Sequence, residues 1–322
     1  MSGPESLLLQ LSRFVPERLR APADDWTEMV RLAPLHGLAP TIAYNVEYRL
    51  AGANAPQDAR DALLAHYQAA LNDNVFKFVN LKKLLAEVGS RRALLLDAAA
   101  FADALYPHVA FRPVNELRLL VHVADLEPMQ RAFAQAGYAI RPNDDELGAS
   151  AVNSDDRTRL VLHTRLFPEA RQVEESKLWE RALPARAFGK NAFRPELEDA
   201  LLSAALLLAR QGFDAPLIQL VDLRELVRGS PDLAGPYSRP VKADVVLERA
   251  RAFKLERALW SAMELLAGFF PEVGSQARSL QPRLRPSSQT LLRKLVIEPS
   301  LDLSRKSAFR GTERLRRLLS GG

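Results

Sequence analysis

The side chains best placed to do chemistry lie on one apolar stretch, Glu116-Leu117-Arg118-Leu119-Leu120-Val121-His122-Val123. Its length and aliphatic content predict a β-strand. Residues two apart on a strand project to the same face, so Glu116 and Arg118 share one. A shorter apolar run, Ala93-Leu94-Leu95-Leu96, leads into Asp97, and a third strand candidate, Arg159-Leu160-Val161-Leu162-His163, ends in His163. A guanidinium among carboxylates can make a structural ion pair with Glu116 or Asp97. It can also hold an anionic ligand, because Arg presents a planar fork of donors. His122 and His163 are candidates to meet on adjacent strands.

Other chemistries are poorly supplied. There is no cysteine, which removes disulfides, thiolate metal sites and thiol nucleophiles and fits a reducing compartment. The five histidines, His36, His66, His108, His122 and His163, form no His-x-x-x-His spacing. No Gly-x-x-x-x-Gly-Lys loop, Gly-x-Gly-x-x-Gly fingerprint or Gly-x-Ser-x-Gly elbow occurs. The acidic clusters Asp144-Asp145-Glu146 and Asp155-Asp156 read as solvated loops.

The elements that must position these residues follow from periodicity. The first ninety residues read as helices, including an amphipathic run from Asp58 to Gly89. Helices and strands then alternate from 91 to 190, which predicts a small α/β unit. From about 191 the helical pattern returns, with helices expected over 195–210, 217–228 and 244–270. The expected fold class is α+β: a small mixed sheet flanked by helical regions at 1–90 and 191–275, with a basic tail at 276–322.

Several ordered patches resemble the uncharacterised bacterial nucleotidyltransferase family, a branch of the polymerase-β-like nucleotidyltransferases. They are Leu94-Leu95-Leu96-Asp97-Ala98, Leu105-Tyr106-Pro107, Arg112-Pro113, Glu116-Leu117-Arg118-Leu119-Leu120-Val121 and Gly137-Tyr138. Outside them, Leu32 to Pro40, Leu197 to Leu226 and Ala250 to Ala267 look like the family's flanking helices. The resemblance implies a nucleotidyltransferase sheet on which an Asp-x-Asp pair and a third carboxylate hold Mg²⁺ around the transferred phosphate.

At those positions this chain departs from the pattern. Glu116 stands for the first Asp, Arg118 for the second, and Leu162, beside His163, for the third. Asp97-Ala98 replaces a Lys-Gly pair, which reverses a charge and adds a Cβ where backbone would approach closely. Arg118 about 4 Å from a divalent ion would repel it by several kcal/mol. These substitutions predict a family member without catalysis, with no cofactor, acting as a binding or scaffold protein for a protein partner. A second reading keeps the enzyme, with Glu116 as the surviving ligand of a shifted site and Mg²⁺ and NTP as cofactors. A shifted register would bring in other acids such as Asp125.

The charge points to a third reading. The net charge is +5, but from Arg278 onward eleven basic and three acidic residues give +8, leaving −3 for the rest. Arg305, Lys306, Arg310, Arg314, Arg316 and Arg317 form a candidate surface for an anionic partner such as nucleic acid. Aromatics for stacking on single strands are nearly absent from the tail. No stretch is apolar enough to span a membrane, and the N-terminus lacks a signal-peptide pattern; a cytoplasmic protein is expected.

Overall fold

The computed structural model describes residues 3–142, 148–152, 157–167, 172–229 and 235–301. Four helices come first: α1 (Pro4–Leu11), α2 (Ala23–Leu35), α3 (Ala39–Glu47) and the long α4 (Gln57–Glu87). Pro40 near the start of α3 has the fixed φ that a helix start tolerates. Gly37, at φ +70°, makes the turn between α2 and α3. Trp26, Met29 and Ala33 bury one face of α2, and Leu63, Leu81, Leu84 and Leu85 bury one stripe of α4.

The middle of α4 differs from its amphipathic reading. Val75 and Val79 are exposed, while Asn74 and Lys77 are buried. Asn74 donates to the carbonyls of Val109 and Arg112 and accepts from the amide of Val114. Lys77 donates to the carbonyl of Val114 and pairs with Asp73. The polar side chains thus satisfy the backbone of the irregular segment before the central strand, where no ladder could do so.

The sheet has seven strands in the order β3-β4-β5-β2-β1-β7-β6. They are β1 (Ala93–Leu96), β2 (Leu117–Val121), β3 (Ala139–Pro142), β4 (Gly148–Val152), β5 (Arg159–His163), β6 (Leu183–Pro184) and β7 (Ala192–Arg194). β1 runs antiparallel to β2, and β2 parallel to β5. The sheet is mixed and flanked by helices, as an α+β chain requires. The expected strands at 93–96 and 159–163 are present. Two adjustments concern β2: it stops at Val121, and α6 (Val123–Gln135) starts where strand had been expected. α5 (Asp97–Phe101) is a short helix of about a turn and a half.

After α7 (Gln172–Arg181), the C-terminal helices α8 (Leu197–Arg210), α9 (Ile218–Arg228), α10 (Ala243–Ala252) and α11 (Glu256–Phe269) pack on one another, with α8 also against α5, and share one hydrophobic core with the strands. The one long helix expected over 244–270 is two, broken where Lys254 takes φ +56°. An ion network anchors the start of α8. Asp199, its side chain fully buried, receives Arg181 at 2.9 Å and Arg249 at 3.1 Å. Glu198 is clasped by Arg239 through both carboxylate oxygens. Such a network specifies one docking geometry, because misdocking would strand buried charges. Beyond 276 the chain continues to pack on the body, burying Leu280, Leu292, Val296 and Ile297. No helix among the described residues is long and apolar enough to cross a membrane.

Candidate functional site

β1 and β2 are paired so that Leu96 faces Arg118. Asp97, the next residue, ends the strand and opens α5 with φ +49°. That left-handed conformation costs an L residue about 1–2 kcal/mol, and Asp is among the few types that adopt it. It delivers the carboxylate to the Arg118 side chain: Arg118 Nη1 donates to Asp97 Oδ2 at 2.9 Å. The hydroxyl of Ser203, on the buried face of α8, reaches Asp97 Oδ1 at 3.4 Å.

The rest of the guanidinium turns to β5. Arg118 Nε and Nη2 lie 3.3 and 3.1 Å from His163 Nε2. A guanidinium only donates, so Nε2 accepts and the ring proton belongs on Nδ1. Glu116 stands further off, with Oε1 3.8 Å from Arg118 Nε and Oε2 3.8 Å from Arg159 Nε. Arg118 and Asp97 are both largely buried, whereas the Glu116 side chain is 39% exposed.

The five residues singled out from sequence therefore part ways. Asp97, Glu116, Arg118 and His163 converge. Leu162 does not: it pairs with Leu119, and the pleat turns both to the opposite face, where both are fully buried. His163, one residue on, lies on the Arg118 face and contacts its guanidinium. His122 and His163 do not meet either. His122 stacks on Trp179 with ring centroids 4.1 Å apart. Asp125 is paired with Arg91 at 3.7 Å on α6. His36 accepts from the Leu217 amide, and its burial lowers its pKa. Both acidic loop clusters, and the six basic residues Arg305, Lys306, Arg310, Arg314, Arg316 and Arg317, lie outside the described residues.

Beneath the cluster is a second ion pair that sequence reading did not single out. Arg112 grips Asp222 of α9 through Nε at 2.9 and 3.0 Å and Nη2 at 2.8 Å, and Tyr106 donates its hydroxyl to Asp222 at 2.6 Å. All three are buried. Burial pushes the Asp222 carboxyl up, against the lowering pull of Arg112. Burial, with the Asp222 charge next, holds the Tyr106 phenol well above its ordinary range. A signal for this pair was present: Leu105-Tyr106-Pro107, Arg112-Pro113 and Val221-Asp222-Leu223 sit in the patches that carried the resemblance.

A divalent ion does not fit these donors. Mg²⁺ takes hard oxygen ligands in a near-octahedral shell. Here Asp97 is bound to the Arg118 guanidinium, Glu116 lies 3.8 Å from two guanidinium groups, and the third group is an imidazole. Among the described residues no three of His, Cys, Asp or Glu are grouped to hold a metal. What the arrangement does chemically is neutralise Asp97 within the fold, by a cation that the chain itself supplies.

No curated protein and no solved structure matches the chain. The model of the family described as uncharacterised nucleotidyltransferase matches residues 22–271, a span that includes every strand of the sheet, and the chain belongs to that family.

Proposed function

We propose that this protein is a bacterial, cytoplasmic family member that has given up nucleotide transfer and works as a binding or scaffold protein. One observation carries the reading: Arg118, on the central strand, binds Asp97 at 2.9 Å and His163 at 3.1 Å. In the pattern that the sequence resembles, a carboxylate at that position holds a metal. Replacing it with a guanidinium removes a ligand and adds a positive charge where positive charge must be bound. The energetic case is self-consistent, since Arg118 offsets the cost of burying Asp97 without any ion.

The experiment is transfer of label from Mg²⁺ and each of four α-labelled NTPs, to the protein itself and to acceptors in a bacterial lysate. No incorporation above a protein-free control is expected. Robust incorporation that Glu116→Gln abolishes would overturn the reading and restore an enzyme with a shifted metal site. The partner we propose is a protein. An anionic partner at Arg305, Lys306, Arg310, Arg314, Arg316 and Arg317 is tested by truncation after Leu301, which spares the buried Leu292, Val296 and Ile297.

A further inference from the structure

In the middle of α4, Val75 and Val79 are 46% and 47% exposed, although the apolar side chains of a packed helix are expected to turn inward. Val79 belongs to a row. Asp61, Ala65, Asn72, Val79 and Lys83 follow one another at spacings of four and seven residues. At 3.6 residues per turn they fall within about 20° of one line along the helix. All five are exposed, and Val75 borders the line. Asp61 accepts from Gln57 at 2.8 Å, and among the described residues neither Asp61 nor Lys83 has an ionic partner in its own chain.

The row is its own complement when reversed. Asn72 is the midpoint of α4, which runs from Gln57 to Glu87. Eleven residues to either side stand Asp61 and Lys83, and seven to either side stand Ala65 and Val79. One pair joins acid to base, and the other joins a small side chain to a large one.

We propose that this face of α4 binds a second copy of the chain, with the two α4 helices antiparallel and crossing at Asn72. Asp61 of each copy then meets Lys83 of the other, and Ala65 meets Val79, each contact made twice. That self-complementarity is what an isologous, twofold interface requires. Parallel pairing would set Asp61 against Asp61 and Lys83 against Lys83, so charge selects the direction. Glu87 falls opposite Gln57, which is neutral. At the crossing Asn72 meets its own twin, and each carboxamide can donate to and accept from the other. A polar residue at the centre of a helix pair fixes its register. The pairing also accounts for valines turned outward on a helix whose Asn74 and Lys77 turn inward. It goes beyond the reading of the Arg118 cluster, which lies on other elements, and holds whether or not the protein transfers nucleotides.

The chain has no cysteine, so single cysteines report on the pairing. Helix axes 8–10 Å apart leave the two Asn72 Cα atoms about 4–6 Å from each other, within reach of a disulfide. Under mild oxidation at about 50 μM, a concentration at which interfaces of modest size assemble, Asn72→Cys is expected to become a linked dimer. Ala86→Cys is expected to stay unlinked, because its twin would lie about 40 Å away.

Sedimentation equilibrium of the full chain supplies the second readout. The mass is expected to rise from 35.8 kDa toward twice that value as concentration increases. Val79→Glu and Asp61→Lys, at exposed positions where folding is not at risk, are each expected to raise the dimer Kd at least about tenfold. The charge swap Asp61→Lys with Lys83→Asp is expected to return it to within about threefold of the parent. The proposal is overturned if the parent stays monomeric up to about 200 μM, far above the Kd of a specific interface. It is also overturned if Ala86→Cys links as readily as Asn72→Cys, if Val79→Glu dimerises as the parent does, or if the swap fails to restore the dimer.

Discussion

Arg118 on β2 binds Asp97, the first residue past the end of β1, at 2.9 Å, and the approach depends on the left-handed backbone of Asp97. The strain and the ion pair are coupled. The conformation is maintained because it places a carboxylate where the guanidinium needs one.

Breaking that pair from either side should destabilise the fold, through the charge left behind. Asp97→Asn keeps the shape and the left-handed tolerance but strands Arg118; a loss of about 3 kcal/mol in urea unfolding is expected. Arg118→Met should cost a similar amount. The double variant should lose less than the sum, with a coupling of about 1–3 kcal/mol. Additive losses would mean that the two groups do not interact.

The Arg112–Asp222 pair is more deeply buried, and Tyr106 leans on the same carboxylate. Asp222→Asn should cost about 3–5 kcal/mol, measured by thermal or urea unfolding. Tyr106→Phe should cost about 1–2 kcal/mol, since the lost hydrogen bond goes to a charged acceptor. A Tyr106→Phe protein as stable as the parent at neutral pH would contradict the 2.6 Å contact.

Alkaline stability follows from the same burial. Burial raises the pKa of Tyr106 and of Tyr237 above 10. A raised folded pKa contributes stability that is fully present below the unfolded value. It is lost as pH rises from about 10 toward the folded value. Tyrosinate absorbance should therefore show these two phenols ionising only as the protein unfolds. Tyr106→Phe should flatten the alkaline loss by one proton. Ionisation of all six tyrosines in a single step near pH 10, with the fold intact, would contradict this.

Gly37 carries a backbone prediction. At φ +70°, with Ile218 Cγ2 3.0 Å from an added Cβ, Gly37→Ala should cost about 1–2 kcal/mol in unfolding experiments. No change would show that the α2–α3 turn relaxes freely.

The strands that carry chemistry were legible because each is a short aliphatic run with a charged or imidazole residue at its end. Asp97 and His163 end such runs, whereas Glu116 and Arg118 stand out through the positions they occupy in the resembled family pattern. Leu162 points away from the cluster because neighbouring residues on a strand face opposite sides, and the face of β5 is set by its pairing with β2. β3 and β4 were missed because Gly148-Ala149-Ser150-Ala151-Val152 has little of the β-branched or aromatic content that marks a strand. The break at Lys254 was hidden by a helical period that continues on both sides of it. Asn74 and Lys77 turn inward for hydrogen bonds to a loop that periodicity does not register. Arg112, Tyr106 and Asp222 are far apart in the chain, and only the packing of α9 brings them together.

The central claim is that Arg118 has displaced the metal, and Mn²⁺ reports on it directly. The resonance of Mn²⁺ with NTP should be recorded with the parent protein and with Glu116→Gln. The two spectra are expected to be the same, because Glu116 ligates no ion beside Arg118. A stoichiometric, immobilised Mn²⁺ signal in the parent that disappears in Glu116→Gln would contradict the claim.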